Sequence, residues 1–300
     1  MTAIMDIGNK IPFGLCEEKN TLVDVVDVPQ GKDCHCICPS CRLALIARHG
    51  NINRWHFAHA GRKNKSIDNE CEYSFFVSVR AMAKQIMTSG FTLFTPGHIG
   101  KITQKGYPEG SVFSEIFFET YRIAREGVIT LSHVKKECSF ESSIVDIMGE
   151  FNGYSIVIYF SHKHREVPPA LYSPVNHKCG IIEINLDATS GLFTAKGSQH
   201  KRFVDELECF LKENLRSKKW IFHPRQISAR MNAEKNLTDD IENNAAHHVD
   251  VYKEGMPAMS GRIQRCECLS CNKRWAAVIS ELHPRIDCPD CKTHLYVRYV

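Results

Sequence analysis

The chain has 300 residues, is 43% apolar and carries a formal net charge of +4. That length suits two or three compact units, and mild basicity permits a nucleic-acid partner without requiring one. Residues 1–13 hold charges and no apolar run, and no stretch approaches the roughly 20 apolar residues of a membrane helix, so neither an export signal nor a membrane is expected. The expected setting is a reducing, cytoplasmic one, where closely spaced cysteines favour metal over disulfides.

Residues 22–28 (LVDVVDV) alternate and predict a strand. A cluster of cysteines follows at Cys34, Cys36, Cys38, Cys41 and Cys71. Over residues 72–87, Phe75, Phe76, Val79, Met82, Ala83 and Ile86 share one face of a predicted helix. Strands are predicted at 128–137, 143–149, 154–160 and 180–186, with Pro168, Pro169 and Pro174 making the segment after the third irregular. A second amphipathic helix is predicted over 199–216, with Phe203, Leu207, Phe210 and Leu211 on one side and Lys218 and Lys219 beyond it. Residues 231–261 are polar and read as a linker. The division expected is a strand and Cys2His2 zinc module over 1–66, a core over 67–195, a basic amphipathic helix over 196–230, a polar linker over 231–261 and a small terminal unit over 262–300.

Ten of the fourteen cysteines fall in two clusters. The C-terminal pattern is Cys268-x2-Cys271-x16-Cys288-x2-Cys291. Two Cys-x-x-Cys knuckles separated by a strand-turn-strand length set four thiolates at the corners of a tetrahedron, which suits Zn²⁺. A unit of this size has too small a core to fold well alone, so metal supplies folding free energy. Cys266 is a spare or a replacement for Cys268, and Trp275 and Tyr296 read as the core of the ribbon. The N-terminal pattern is Cys38-x2-Cys41-x14-His56-x2-His59, a second Zn²⁺ site of two thiolates and two imidazoles. Cys34, Cys36 and Cys71 lie close enough in sequence to compete as ligands. Four protein ligands leave no position for water, so both sites read as structural.

The run CPSCRLALIARHGNINRWHFAHA resembles the N-terminal zinc-binding segment of the competence protein CoiA-like family, in which a Cys-Pro-x-Cys pair precedes a short β-hairpin and a His-Phe-Ala-His element. The resemblance continues at Glu72 with Ala83-Lys84, at Ile144-Val145-Asp146-Ile147, at Ser161-His162 and at Ile182-Glu183-Ile184. It implies an α+β fold with a PD-(D/E)XK restriction-endonuclease-like αβββαβ core, flanked by the N-terminal Cys/His zinc module and a C-terminal zinc ribbon. Such a core cleaves phosphodiesters by holding Mg²⁺ or Mn²⁺ between carboxylates on neighbouring strands.

On that resemblance, Asp146, Glu72 and Glu183 are the expected catalytic carboxylates and His162 a general base or phosphate contact. Asp146 interrupts an apolar strand, where an unpaired carboxylate is costly. Glu72 falls on the apolar arc of its helix. The departure lies at Val157 and Tyr159, which stand where the metal-binding Glu and the Lys are expected. Either Glu137, Glu150 or Glu183 supplies the missing ligand, or the core no longer cleaves. The expectation is a zinc-stabilised DNA-binding protein of nuclease ancestry acting in DNA uptake, recombination or defence, with cleavage impaired or lost. The alternative is an active metal-dependent deoxyribonuclease. Arg80, Lys84, Lys163, Lys218 and Lys219 are the expected DNA contacts, and the ribbon is a possible dock for a protein partner.

Overall fold

The computed structural model describes residues 10–61, 71, 74–106, 115–195, 197–198, 200–253, 262–279, 286–293 and 297–299. The chain divides into two units, one of residues 1–106 with 116–239 and one of 107–115 with 240–300.

The first unit opens with β1 (Phe13–Cys16), β2 (Thr21–Asp24) and β3 (Cys36–Ile37), an antiparallel sheet in the order β2-β1-β3. Of the alternating run at 22–28, only the first half is strand. Beyond Asp24 the chain winds into a 3-10 turn over Val25–Asp27, because the Asp24 carboxylate accepts the Val26 N–H at 3.2 Å. Gly14 is required on β1: a Cβ there would lie 2.9 Å from Cys36 Cβ and 3.2 Å from the Phe57 ring. β4 (Leu45–Arg48) and β5 (His56–His59) form a hairpin whose second strand is the His-Phe-Ala-His element itself, where a hairpin ahead of that element was expected.

α1 (Ser74–Ile86) buries Phe75, Phe76, Val79, Met82 and Ala83, as their spacing demands. β6 (Thr92–Thr95) pairs with β9 (Gly127–Thr130), and β7 (His98–Gly106) pairs with β8 (Glu115–Ala124). The main sheet follows: β10 (Ser132–Phe140), β11 (Ser143–Phe151), β12 (Tyr154–Ser161), β13 (Cys179–Asn185) and β14 (Lys218–Phe222), hydrogen-bonded in that order. Only β12 and β13 run parallel. They occupy the interior of the sheet and read as near-continuous apolar runs, which burial on both faces requires. On one face, Ile156, Ile158 and Phe160 of β12 meet α1 and α3 (Phe203–Glu213) through Phe75, Val79, Phe203 and Leu207. On the other, Val157 and Tyr159 pack with Val145, Leu171, Ile181 and Phe222. Each fully buried Leu, Ile or Phe contributes about 1.5–3 kcal/mol, so these two layers dominate the stability of the unit. A short α2 (Ala188–Phe193) precedes α3.

The mixed α+β class therefore stands. The expected order αβββαβ is not followed: β6–β9 stand between α1 and β10, and the crossover from β12 to β13 carries a 3-10 turn, Pro169–Tyr172, in place of an α-helix. Its prolines lack the N–H donors a helix interior needs.

Two further corrections concern the division of the chain. The zinc module over 1–66 is not a separate body, because its polar side chains are built into the core. Arg54 is buried, donates to Glu206 at 2.8 Å and to the Lys201 carbonyl at 2.9 Å, and lies over the Phe193 and Phe203 rings. Buried Asp24 accepts the Val204 N–H at 2.9 Å, which caps the first turn of α3. The segment read as a polar linker is instead largely helical, within α4 (Gln226–Lys253). Residues 226–253 contain neither Gly nor Pro, the two strongest helix breakers, so a helix forms there although apolar content is low. In the second unit, β15 (Arg262–Cys268), β16 (Arg274–Ile279) and β17 (Val297–Tyr299) form an antiparallel ribbon in the order β16-β15-β17.

Candidate metal centres and the Asp146 site

Three Cys-x-x-Cys knuckles share one backbone construction. The Cys38 N–H donates to the Leu43 carbonyl at 2.8 Å, the Arg42 N–H donates back to the Cys38 carbonyl at 2.9 Å, and Arg42 adopts φ 64°. The ribbon repeats this twice, with Cys268, Lys273 and Asn272 (φ 57°), and with Cys288, Thr293 and Lys292 (φ 55°). The left-handed residue after each second cysteine tightens the turn so that both thiols aim at one point.

Among the described residues, two groups have all ligand atoms within 4.8 Å of one another: Cys38, Cys41, His59 and Cys71, and Cys268, Cys271, Cys288 and Cys291. A tetrahedral Zn²⁺ with Zn–S bonds near 2.3 Å places sulfurs about 3.8 Å apart. In the ribbon the Cys268–Cys291 and Cys271–Cys288 separations are 3.9 and 3.5 Å, and in the first site Cys41 Sγ lies 3.3 Å from His59 Nε2. Both groups therefore fit Zn²⁺. Burial pushes the Cys38 and Cys71 thiols up, so without a cation these thiols keep their protons, and a central dication supplies the charge that holds them as thiolates.

The ribbon ligands are those the spacing identifies. In the first site Cys71 stands where His56 was expected. His56 and His59 are three residues apart on one strand, so their side chains leave opposite faces and cannot converge. His56 is buried instead, with Nδ1 2.8 Å from the Arg54 carbonyl, and burial lowers its pKa. Cys34 and Cys36 stand outside the group, their thiols donating to the carbonyls of Leu45 (3.4 Å) and Cys34 (3.0 Å).

Asp146 sits where the pairing of β11 with β12 stops, since Ile147–Ile158 is the last pair of that ladder. It is 1% exposed. Its Oδ1 meets Arg80 Nε of α1 at 3.0 Å. Its Oδ2 accepts from Arg165 at 2.8 Å and from the Phe160 backbone N–H at 2.8 Å. The Arg165 guanidinium also donates to the Phe160 carbonyl and stacks 3.7 Å from the Tyr159 ring centroid. Buried Tyr159 and Val157 bring no carboxylate.

The remaining residues singled out by sequence do not gather around Asp146 as ligands. Glu183 accepts from Ser161 Oγ at 2.5 Å. Glu137 pairs with Lys84, and Glu150 with His133 at 3.3 Å. His162 is buried and stacked 4.9 Å from Phe76; that burial, against the nearby Asp187 charge, brings its pKa down to about 4. It is therefore a neutral packed ring. Glu72 lies outside the described residues. Lys218 is corrected as a DNA contact: it is buried, and its ammonium donates to the carbonyls of Phe94 (2.9 Å) and Lys212 (2.8 Å). Lys163 and Lys219 are exposed, and Arg80 and Lys84 are half-buried in ion pairs. Sequence reasoning passed over Arg165 and Lys136. The one signal available was that Arg165 ends the basic run after β12.

Residues 25–67 match the family model of the N-terminal domain of the competence protein CoiA. That stretch holds Cys38, Cys41 and His59 and stops short of Cys71 and of the main sheet. No curated protein and no solved structure matches the chain significantly. Among the described residues, no helix is long and apolar enough to cross a membrane.

Proposed function

We propose that this chain, CoiA-like through the zinc module that residues 25–67 begin, is a zinc-stabilised DNA-binding protein of nuclease ancestry that no longer cleaves. It acts in DNA processing, whether uptake, recombination or defence. The observation that carries this reading is the state of Asp146. A hard cation needs carboxylate oxygens that it can claim, and here both oxygens are committed to Arg80, Arg165 and the Phe160 N–H. Two guanidiniums already supply the positive charge that a metal ion brings to such a centre.

Charge supports the DNA-binding half of the reading. Arg80, Lys84, Lys136 and Arg165 surround Asp146 and Glu137, leaving cationic charge in excess. Lys136 is pushed down by burial and then by Lys84, which marks like charges crowded together. A phosphodiester relieves that crowding and accepts the remaining N–H donors. Lys163 and Lys219 are exposed and offer further cationic contacts.

The test uses the zinc-loaded full chain. Duplex DNA binds with an affinity that falls steeply with salt, and Lys163→Ala and Lys219→Ala each weaken it while reducing the salt slope by about one. No cleavage accompanies Mg²⁺ or Mn²⁺. Cleavage that disappears in Asp146→Ala overturns the reading in favour of an active metal-dependent deoxyribonuclease.

A further inference from the structure

The first unit contains a cavity of about 380 Å³ between the β8–β9 turn, the β11–β12 turn and the end of β14. Its volume falls in the range of small-ligand sites. Phe151, Tyr154 and Trp220 supply aromatic walls, and Arg125 and Arg225 flank them with positive charge. Tyr154 is left 42% exposed, so an aromatic face at this site stays in water. The remaining polar groups are held in place. Trp220 Nε1 donates to the Pro96 carbonyl at 2.8 Å, and the His223 ring stands edge-on to the indole at 4.7 Å. His223 Nδ1 accepts the Arg225 N–H at 3.1 Å, which fixes its other nitrogen as the donor. Arg125 and Arg225 are exposed and form no ion pair among the described residues.

Aromatic walls select a planar ring, and two unpaired guanidiniums select an anion attached to it. A nucleotide carries both. We propose that this cavity binds one nucleotide of single-stranded or frayed DNA, with the base against Tyr154 and Phe151 and its phosphate on Arg125 and Arg225. The assignment rests on the DNA-binding reading, but it concerns a site separate from the Arg80–Asp146–Arg165 cluster, lined by none of those residues. The chain then holds duplex on one basic surface and an unpaired nucleotide in a pocket.

Fluorescence anisotropy with a labelled oligothymidylate and the zinc-loaded full chain tests this, with a closed hairpin duplex as second probe. Oligothymidylate binds, Tyr154→Ala and Arg225→Ala each weaken it about tenfold, and Tyr154→Phe restores it, because stacking is sequence-tolerant and depends on the ring. Thymidine monophosphate competes if free nucleotide suffices. Competition only by longer oligomers assigns the site to a strand, and either result supports the proposal. Unchanged oligothymidylate binding in both alanine variants overturns it, as does displacement by a phosphotyrosine peptide but by no nucleotide. Hairpin binding that persists through Lys163 while the pocket variants behave as wild type sinks the pocket alone. Tyr154-dependent oligothymidylate binding without hairpin binding keeps the pocket and sinks the duplex reading.

Discussion

Asp146→Asn tests the central claim by its sign. In the native protein a carboxylate at 1% exposure makes charge-assisted contacts at 3.0, 2.8 and 2.8 Å to Arg80, Arg165 and the Phe160 N–H. The amide keeps one acceptor oxygen and loses the charge, so two guanidiniums remain face to face with side chains only 27% and 17% exposed. Breaking a buried ion pair by removing one partner costs about 3–5 kcal/mol. Arg80 is the more exposed of the two and can turn towards water, which places the expectation near the lower end, about 3 kcal/mol. Urea unfolding at pH 7 with zinc present, followed by tryptophan fluorescence, reads this as a lower midpoint with an unchanged slope. A carboxylate kept for a divalent cation is repelled by its neighbours when the cation is absent, so its removal leaves stability unchanged or raised. A neutral or stabilising Asp146→Asn therefore refutes the ion-pair account and with it the loss of the metal site.

Three other outcomes follow from the described contacts. Cys71→Ser and His59→Ala each lower bound zinc from two equivalents towards one by atomic emission, whereas His56→Ala leaves two, because only the first two residues reach the N-terminal cluster. Chelation of the zinc-loaded protein removes protection from the β15–β16 amides in hydrogen exchange, since the ribbon has too small a core to persist without its four thiolates. His162 and His223 are both buried and neutral with pKa values lowered to about 4, first by desolvation. The unfolded chain binds protons to these rings more readily, so their contribution is complete above about pH 6.5 and is lost as pH falls towards 4, about 3 kcal/mol for each ring. His162→Phe, which keeps the stack on Phe76, flattens that acid slope in urea titrations; an unchanged slope refutes the assignment.

The features that sequence discloses here are those written locally. The faces of α1 and α3 follow from apolar residues at helical spacing, and the knuckles follow from pairs of cysteines two residues apart. Parity on a strand was equally available and decides against His56, given that 56–59 is extended. What stayed hidden depends on distant partners. Cys71 is thirty residues beyond Cys41, so no local pattern distinguishes it from Cys34 or Cys36. Asp146 was identifiable as a charge that needed a reason, but that reason comes from Arg80 on α1 and Arg165 past β12, and a metal ion explains the same interruption equally well. Strands β7 and β8 escaped because their outward faces carry apolar Ile99, Ile116 and Phe118, which blurs the alternation of a half-buried strand. The reverse held for α4, where polar composition was taken for irregularity.

The fourth ligand of the first cluster lies just ahead of α1, with the Cys71 carbonyl accepting the Ser74 N–H at 3.0 Å where that helix begins. The family match ends at residue 67. The stretch that the family model matches is thus shorter than the stretch that carries the four candidate ligands. A fragment cut at the matched boundary would keep Cys38, Cys41 and His59 and would leave a Zn²⁺ held there one protein ligand short. Any attempt to transplant the zinc module therefore needs the chain at least as far as Cys71.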